Sequence, residues 1–584
     1  RIRFQLFLQF GAYFGRTFDG RIIMIHFSDF GVLGGKLIYA VNKKVTTEPM
    51  KAQQELLTML MEKNKDTEYG RKNNFAKVHS IREYQDIVPL TDYDDYAPYV
   101  DREIENGEKN LLTNFKVTRY CASSGSVGKP KLVPKSSKDN RNTYFMGLVA
   151  PEGLLAEYLK ERGKKVPRLY GPLVLILTGH KLQNGMMSNG AGQVPLLYLK
   201  PFSKWFTTSP LEIMYPEHEE QMDTVYLQLR FALPCRDVTF IGSVVITLLS
   251  NFFETMEDRW QMLCDDIEKG TIDPSVKCPP EIRAELEKKL KPDPERAAEL
   301  RREFEKGFET PICPRIWPKL VWGYGMFGST LTIYVQRARR WLGDDLPMHN
   351  MGYAAAEGFF AMPVEMNASD YALLPRSVLF EFLPVDAPEG MRPLLLNELE
   401  QGKEYELIIT NCSGLYRYRL YDVIKVTGMH NNTPRVEFVY RRNLDMNVAN
   451  EKSTTQMLDW AVDETMHSLG IKIEGHSYFA DTSVTPSRYV LLFEPIGDVT
   501  EDQIPAIREA LDKNLAIANE KYDKYRRWNT LGDPKIVVLR HGAYQGYKEM
   551  LRSRGVVLNQ VKPVAVINTK EREEYFFSQE EISG

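Results

Sequence analysis

The sequence predicts an α/β fold, with a large N-terminal domain of β-sheets and packed helices followed by a small α+β C-terminal domain. Three observations predict it. The apolar run 173–178, bounded by Pro172 and Gly179, has the length and composition of a buried strand. Helical periodicity follows over 217–233 and 241–269, and alternation of strands with helices is the mark of α/β architecture. After Thr454 the pattern becomes smaller: a helix to about Leu469, a strand 489–493, a helix 503–525 and a strand 535–539.

Further elements follow in order. Met50, Leu56, Leu57, Leu60 and Met61 recur at helical spacing over 48–65, and 82–104 reads as short helices broken by Pro89 and Pro98. The charged stretch 279–307 reads as two surface helices around a turn at 292–294. The domain boundary falls near Lys452, giving domains 1–452 and 453–584, with 1–44 set apart as a leader. The 584 residues suit two to four domains at about 150 residues each.

Composition narrows the function. With 43% apolar and 26% charged residues the chain forms cores, and 75 basic against 78 acidic residues leave a charge of -3. No net field exists to hold nucleic acid or an anionic membrane, so neither is expected as a partner. Asp29, Lys36 and three glycines interrupt 27–41, which falls short of the ~20 apolar residues of a spanning helix. The six cysteines form no CxxC pair and no zinc spacing, so they read as reduced, buried thiols of a cytoplasmic protein.

Three segments carry chemistry. Ser123-Ser124-Gly125-Ser126-Val127-Gly128-Lys129-Pro130-Lys131 concentrates hydroxyls, glycines and lysines in a turn able to surround a polyphosphate. It is not a Walker loop, because Pro130 stands where the second glycine belongs; a Ser/Gly surface turn is the structural alternative. Tyr353-Ala354-Ala355-Ala356-Glu357 places a carboxylate among small residues, where it can hold Mg²⁺ against phosphate oxygens; an ordinary surface or capping carboxylate is the alternative. Gly414 to Val423 and Val436 to Asn443 alternate like paired strands, so Asp422 and Arg441 can face one cleft, or else form a cross-strand ion pair. An aspartate there can accept both ribose hydroxyls.

The order of these segments resembles the adenylate-forming superfamily and, within it, the auxin-responsive Gretchen Hagen family of acyl acid amido synthetases. The likeness runs from about residue 50 to about residue 565. It includes Tyr69-Gly70-Arg71, Val88-Pro89-Leu90, Thr208-Ser209-Pro210, Phe380-Glu381-Phe382 and Asn559-Gln560-Val561-Lys562. The resemblance implies that the large domain forms the adenylate and that the small one moves over it. It implies ATP and Mg²⁺, a carboxylic acid and an amine, an amino acid by preference, as small-molecule partners, and a monomer.

By the same resemblance Ser123, Ser124, Ser126 and Lys131 meet the ATP phosphates, Glu357 meets Mg²⁺ or phosphate, and Asp422 holds the ribose. Tyr353, Ala355, Gly325, Met326 and Arg441 join the nucleotide site, and Lys452 and Lys562 supply charge from the C-terminal side. Phe359 and the helices around Tyr226 and 241–249 are expected to line the acyl pocket. The chain departs from the family's pattern in having Ala355 and Ala356 in place of serines and Tyr421 in place of glycine. Two alternatives stay open: acyl transfer to a thiol such as coenzyme A, and a catalytically silent binder of nucleotide or acid.

Overall fold

Short apolar runs separated by helices form a parallel sheet in the order Met348–Asn350, Trp322–Met326, Phe240–Val245 and Leu173–Val174. The computed structural model describes residues 15–18, 21–24, 27–122, 131–175, 179–189, 200–216, 221–326, 332–388, 390–441, 446, 448, 451, 453, 455–527, 530–553, 564–567 and 570–584. Parallel neighbours require crossovers. Here Thr224–Ala232, Ile246–Lys269 and Thr332–Leu342 lie in the connections.

This sheet corrects one expectation. Residues 241–245 are strand rather than the start of a helix, because the segment Phe240-Ile241-Gly242-Ser243-Val244-Val245, with β-branched Ile241, Val244 and Val245, enters the sheet centre before the helix begins at Ile246. Residues 348–350 form the sheet's edge strand, with Met348 opposite Gly323 and Asn350 opposite Gly325. The charged stretch 279–307 does form two helices, Pro280–Glu287 and Pro294–Phe304, but Leu286, Ala297, Leu300 and Phe304 turn inward as core.

An antiparallel sheet of seven strands supplies the frame of the site. Its order is Tyr353–Ala355, Gly358–Met362, Tyr371–Leu373, Thr433–Arg441, Tyr418–His430, Glu404–Thr410 and Leu379–Pro384. Its core takes in Leu56, Leu57, Leu60 and Met61 from the helix Pro49–Asn64, the periodic stretch of the sequence.

Residues 27–45 form a helix that lies along Ala150–Glu161. Two glycines make the crossing: a Cβ on Gly35 would stand 2.6 Å from Gly153 N and 2.5 Å from Val149 O. The part of the leader from Phe27 onward therefore covers a helix of the N-terminal domain. Among the described residues, no helix is long and apolar enough to cross a membrane.

The C-terminal sheet is mixed, in the order Val566–Ile567, Ile473–Asp481, Arg488–Pro495, Lys535–Leu539 and Glu580–Ser583. The helix expected over 503–525 is two, Ile504–Ala518 and Glu520–Arg527, broken at the extended Asn519. Asn519 Nδ2 donates to Ser453 Oγ (2.8 Å) and to Glu451 O (3.1 Å). Tyr489 Oη lies 2.6 Å from Glu451 Oε1.

Candidate active site

A hairpin built by Tyr353–Ala355 and Gly358–Met362 carries the first group of candidates, with Ala355 opposite Gly358 and Ala356-Glu357 as its two-residue turn. The chain enters it through Gly352 at φ 116°, where a Cβ would stand 2.6 Å from Ala361 O; only glycine fits. Glu357 is no surface carboxylate, being 7% exposed. Asn411 Nδ2 donates to its backbone carbonyl (2.7 Å), and Tyr418 Oη points to its Oε1 at 3.4 Å. Asn411 also accepts from Ser413 N (2.9 Å) and Leu415 N (3.1 Å), which folds the turn preceding Tyr418.

The strand Tyr418–His430 brings Asp422 to the hairpin. Asp422 is 2% exposed and its Oδ2 accepts a 2.7 Å bond from Tyr353 Oη. In the sheet register Asp422 pairs with Arg441; the Arg441 side chain lies outside the described ones. Two non-glycine residues at the start of this strand adopt the left-handed region, Arg417 (φ 50°) and Tyr421 (φ 61°). Each is held there by its side chain. Arg417 is buried and pairs with Glu381 at 2.8 Å, and its Nη1 donates to Gln85 O and Val88 O. Tyr421 lies against the Arg419 guanidinium, 4.9 Å from the ring centroid, and Arg419 is itself held by Glu406 at 2.7 Å. Tyr421 in place of glycine thus leaves the Asp422 bond to Tyr353 intact.

Lys131 stands where the chain leaves the phosphate-loop candidate and enters the strand Leu132–Ser136. Its Nζ lies over the ring of Tyr93, 5.3 Å from the centroid. Gly325 sits at the C-terminal end of a parallel strand, the usual ligand side of such sheets, and its carbonyl accepts from Met351 N. Met326 shares that strand, though its side chain is outside the described ones. Ser123, Ser124, Ser126, Lys452 and Lys562 also fall outside the described residues.

Two residues near the site are structural. His349 is fully buried and stacked on Tyr324 (5.8 Å, 9°), and burial pushes its imidazole down to about 3, so it is neutral. Tyr226 is core: it is fully buried and donates to Asp266 at 2.7 Å, within the helical cluster around Ile246 and Leu249. Phe359 instead belongs to a second cluster, where its ring meets Gly147. Gly147 lies in a π-helical turn, Phe145–Val149, a departure from α geometry that is frequent at functional sites.

The residues present suit Mg²⁺ bound jointly with a nucleotide. Glu357 offers hard oxygen ligands, and among the described residues no lysine or arginine pairs with it and no cluster of three metal-ligating side chains forms. Mg²⁺ is commonly held this way, by one or two carboxylates together with substrate phosphates.

Profiles of one family account for most of the chain. The GH3 family N-terminal domain matches residues 40–348, the central domain 371–441 and the C-terminal domain 456–571. The chain belongs to the GH3 family of acyl acid amido synthetases. This GH3 chain is 28% identical to the jasmonoyl-L-amino acid synthetase GH3.5 of Oryza sativa subsp. japonica, over 90% of its own length and 93% of that protein's. It is 27% identical to the probable indole-3-acetic acid-amido synthetase GH3.1 of Arabidopsis thaliana, over 90% of each. The AtGH3.15 acyl acid amido synthetase in complex with 2,4-DB shares its fold, with a TM-score of 0.77 over 94% of this chain and 97% of that one, at 23% identity.

In this GH3 chain, Asn411 and Tyr93 are candidate site residues that the sequence reading does not single out. Asn411-Cys412-Ser413-Gly414 has the composition of a turn, and such an Asx turn was the available signal. Tyr93 gave none, because its partners Lys131 and Leu132 lie some forty positions away along the chain.

Proposed function

We propose that this GH3 chain is an ATP-dependent acyl acid amido synthetase, which adenylates a carboxylic acid and passes the acyl group to an amine, an amino acid by preference. The observation that carries this reading is the 2.7 Å bond between Tyr353 and Asp422, because Tyr353 belongs to the hairpin whose turn holds the buried Glu357, so that one hairpin joins a candidate ribose acceptor to a candidate cation ligand.

In the first step a carboxylate oxygen of the acid attacks the α-phosphorus of ATP. The bond to the bridging oxygen breaks, and acyl-AMP and pyrophosphate result. In the second step the amine nitrogen attacks the acyl carbon, AMP leaves with the bonding pair, and the amine gives up a proton. Lys131 stabilises charge on the phosphates, Asp422 fixes the ribose, and Glu357 serves as the protein's ligand for Mg²⁺. Mg²⁺, when bound, neutralises charge on the leaving pyrophosphate. Rate comes from positioning and electrostatics, so no protein nucleophile is required. Phe359 and the turn at Gly147 border the acyl group, and the relatives' names favour a hydrophobic acid such as a jasmonate or an indole acid. The enzyme works as a cytoplasmic monomer.

The test is acid-dependent exchange of pyrophosphate into ATP over a panel of aryl, indole, fatty and jasmonate-like acids. Exchange with one acid class, strongly weakened but still measurable in Lys131→Ala, supports adenylation; no exchange with any acid sinks it. Neutral hydroxylamine then separates the acceptors, because it cleaves a thioester and spares an amide.

A further inference from the structure

A short segment far from the loop in sequence reaches the phosphate lysine. Residues Tyr93–Asp95 form a single 3-10 turn, capped by Asp92, which accepts from Asp94 N, while Asp95 accepts from Asp92 N. The turn is fastened to the strand that bears Asp422. Thr91 N donates to Arg417 O (3.0 Å) and Arg419 N donates to Thr91 O (2.9 Å), so Thr91 forms a bridge with Tyr418. Thr91 Oγ1 donates to Tyr416 O at 2.8 Å, and Tyr96 Oη both donates to Tyr416 O (2.7 Å) and accepts from Tyr416 N (2.9 Å).

From this fixed base Tyr93 extends the other way. Its Oη accepts from Leu132 N at 2.8 Å and donates to Leu132 O at 3.3 Å, and its ring faces the Lys131 ammonium at 5.3 Å. One side chain therefore holds both the backbone just after the phosphate loop and the charge of the lysine that ends it. We infer that Tyr93 is a positioning residue for phosphate binding, setting Lys131 at a fixed place relative to the strand of Asp422.

The two groups would otherwise be independent. Lys131 leads into one sheet, in the order Leu132–Ser136, Val117–Ala122, Met187–Asn189, Gly179–Lys181, and Asp422 lies in another, the seven-stranded sheet. A lysine side chain has four rotatable bonds, and an ammonium on an aromatic face loses much of that freedom before ATP arrives. The phenol stays protonated and able to donate. Burial pushes it up to about 12, the carboxylates of Asp101, Asp94 and Glu357 act in the same direction, and the bond to Leu132 O partly offsets them.

This inference rests on the reading of Lys131 as the phosphate lysine, and a double-mutant cycle on pyrophosphate exchange separates the two. Lys131→Ala alone tests that reading: unchanged exchange would overturn it and the inference with it. If Lys131→Ala abolishes saturation by ATP, Tyr93→Leu is expected to lower kcat/KM for ATP by about tenfold, mostly through KM. Tyr93→Phe, which keeps the ring and loses the Leu132 bonds, is expected to lose less. With Lys131 already alanine, adding Tyr93→Leu should cost less than about twofold more, because its function is to hold that lysine. Losses that multiply in the double variant, or a Tyr93→Phe variant that matches Tyr93→Leu, would overturn the inference. Tyr93→Phe preserves shape, so the cycle can be run with it alone should Tyr93→Leu fail to fold.

Discussion

Tyr353 and Asp422 share a 2.7 Å hydrogen bond although they lie on the first and fifth strands of the seven-stranded sheet. In a flat sheet four spacings of about 4.8 Å would part those strands by ~19 Å, beyond the reach of the two side chains. The sheet is therefore curled, and the bond closes its mouth. Phe438 on the fourth strand packs beside the Tyr353 ring at 6.1 Å, as that curl requires.

Asp422→Ala is expected to abolish pyrophosphate exchange, whereas Tyr353→Phe is expected to lower kcat/KM for ATP by about tenfold, the range of one hydrogen bond to a charged group. Steady-state exchange on both variants checks this, with thermal melts to show that each is folded. Equal losses would mean that Tyr353 has a role beyond orienting the carboxylate.

Tyr418→Phe removes the hydroxyl that points to Glu357. The Mg²⁺ concentration giving half-maximal exchange should rise, by about tenfold at most, with KM for ATP at saturating Mg²⁺ nearly unchanged. A magnesium titration at fixed ATP measures it. An unchanged midpoint would leave Tyr418 as a core residue only.

Arg417→Met leaves Glu381 buried without its guanidinium partner, and removing one member of a buried pair costs about 3–5 kcal/mol. Urea unfolding should show that loss, and changing Glu381 to leucine in the same chain should recover part of it. If the single and double variants are equally unstable, the bonds from Arg417 to Gln85 O and Val88 O dominate instead.

His349 supplies the pH prediction. Its folded pKa, about 3, lies below the ordinary value of 6.5 because the ring is buried. Its contribution to stability is whole above pH 6.5 and is lost as pH falls from there toward 3, since the unfolded chain takes up a proton that the folded one refuses. The slope is at most about 1.4 kcal/mol per pH unit. His349→Phe removes that slope, so urea midpoints measured at pH 7 and pH 4.5 should shift in favour of the variant at the lower pH.

Legibility in the sequence tracked the range of the interactions. The helices Pro49–Asn64 and Thr455–Leu469 and the strand Lys535–Leu539 lay where periodicity put them, because each pattern is complete within the segment. The strand Phe240–Val245 reads as helix in the sequence because a short, largely apolar run looks alike in both states until its neighbours are known. Tyr353, Glu357 and Asp422 were found as motif residues and come together in the structure. Their supports, Asn411, Tyr418 and Tyr93, act across separations that no local pattern records.

The glycine crossing of Phe27–Val45 on Ala150–Glu161 reaches further than helix contact. A Cβ at Gly35 would stand 2.5 Å from the carbonyl oxygen of Val149, the last residue of the π turn, so only glycine allows this approach. A π turn carries one residue more than an α turn, so its relaxation to α would rotate Ser137–Tyr144 against Ala150–Glu161 by roughly 100°. The helix Phe27–Val45 is thus seated where the chain changes its winding, and removing it is expected to uncover the π turn that stands between Lys131 and Ala150–Glu161 along the chain.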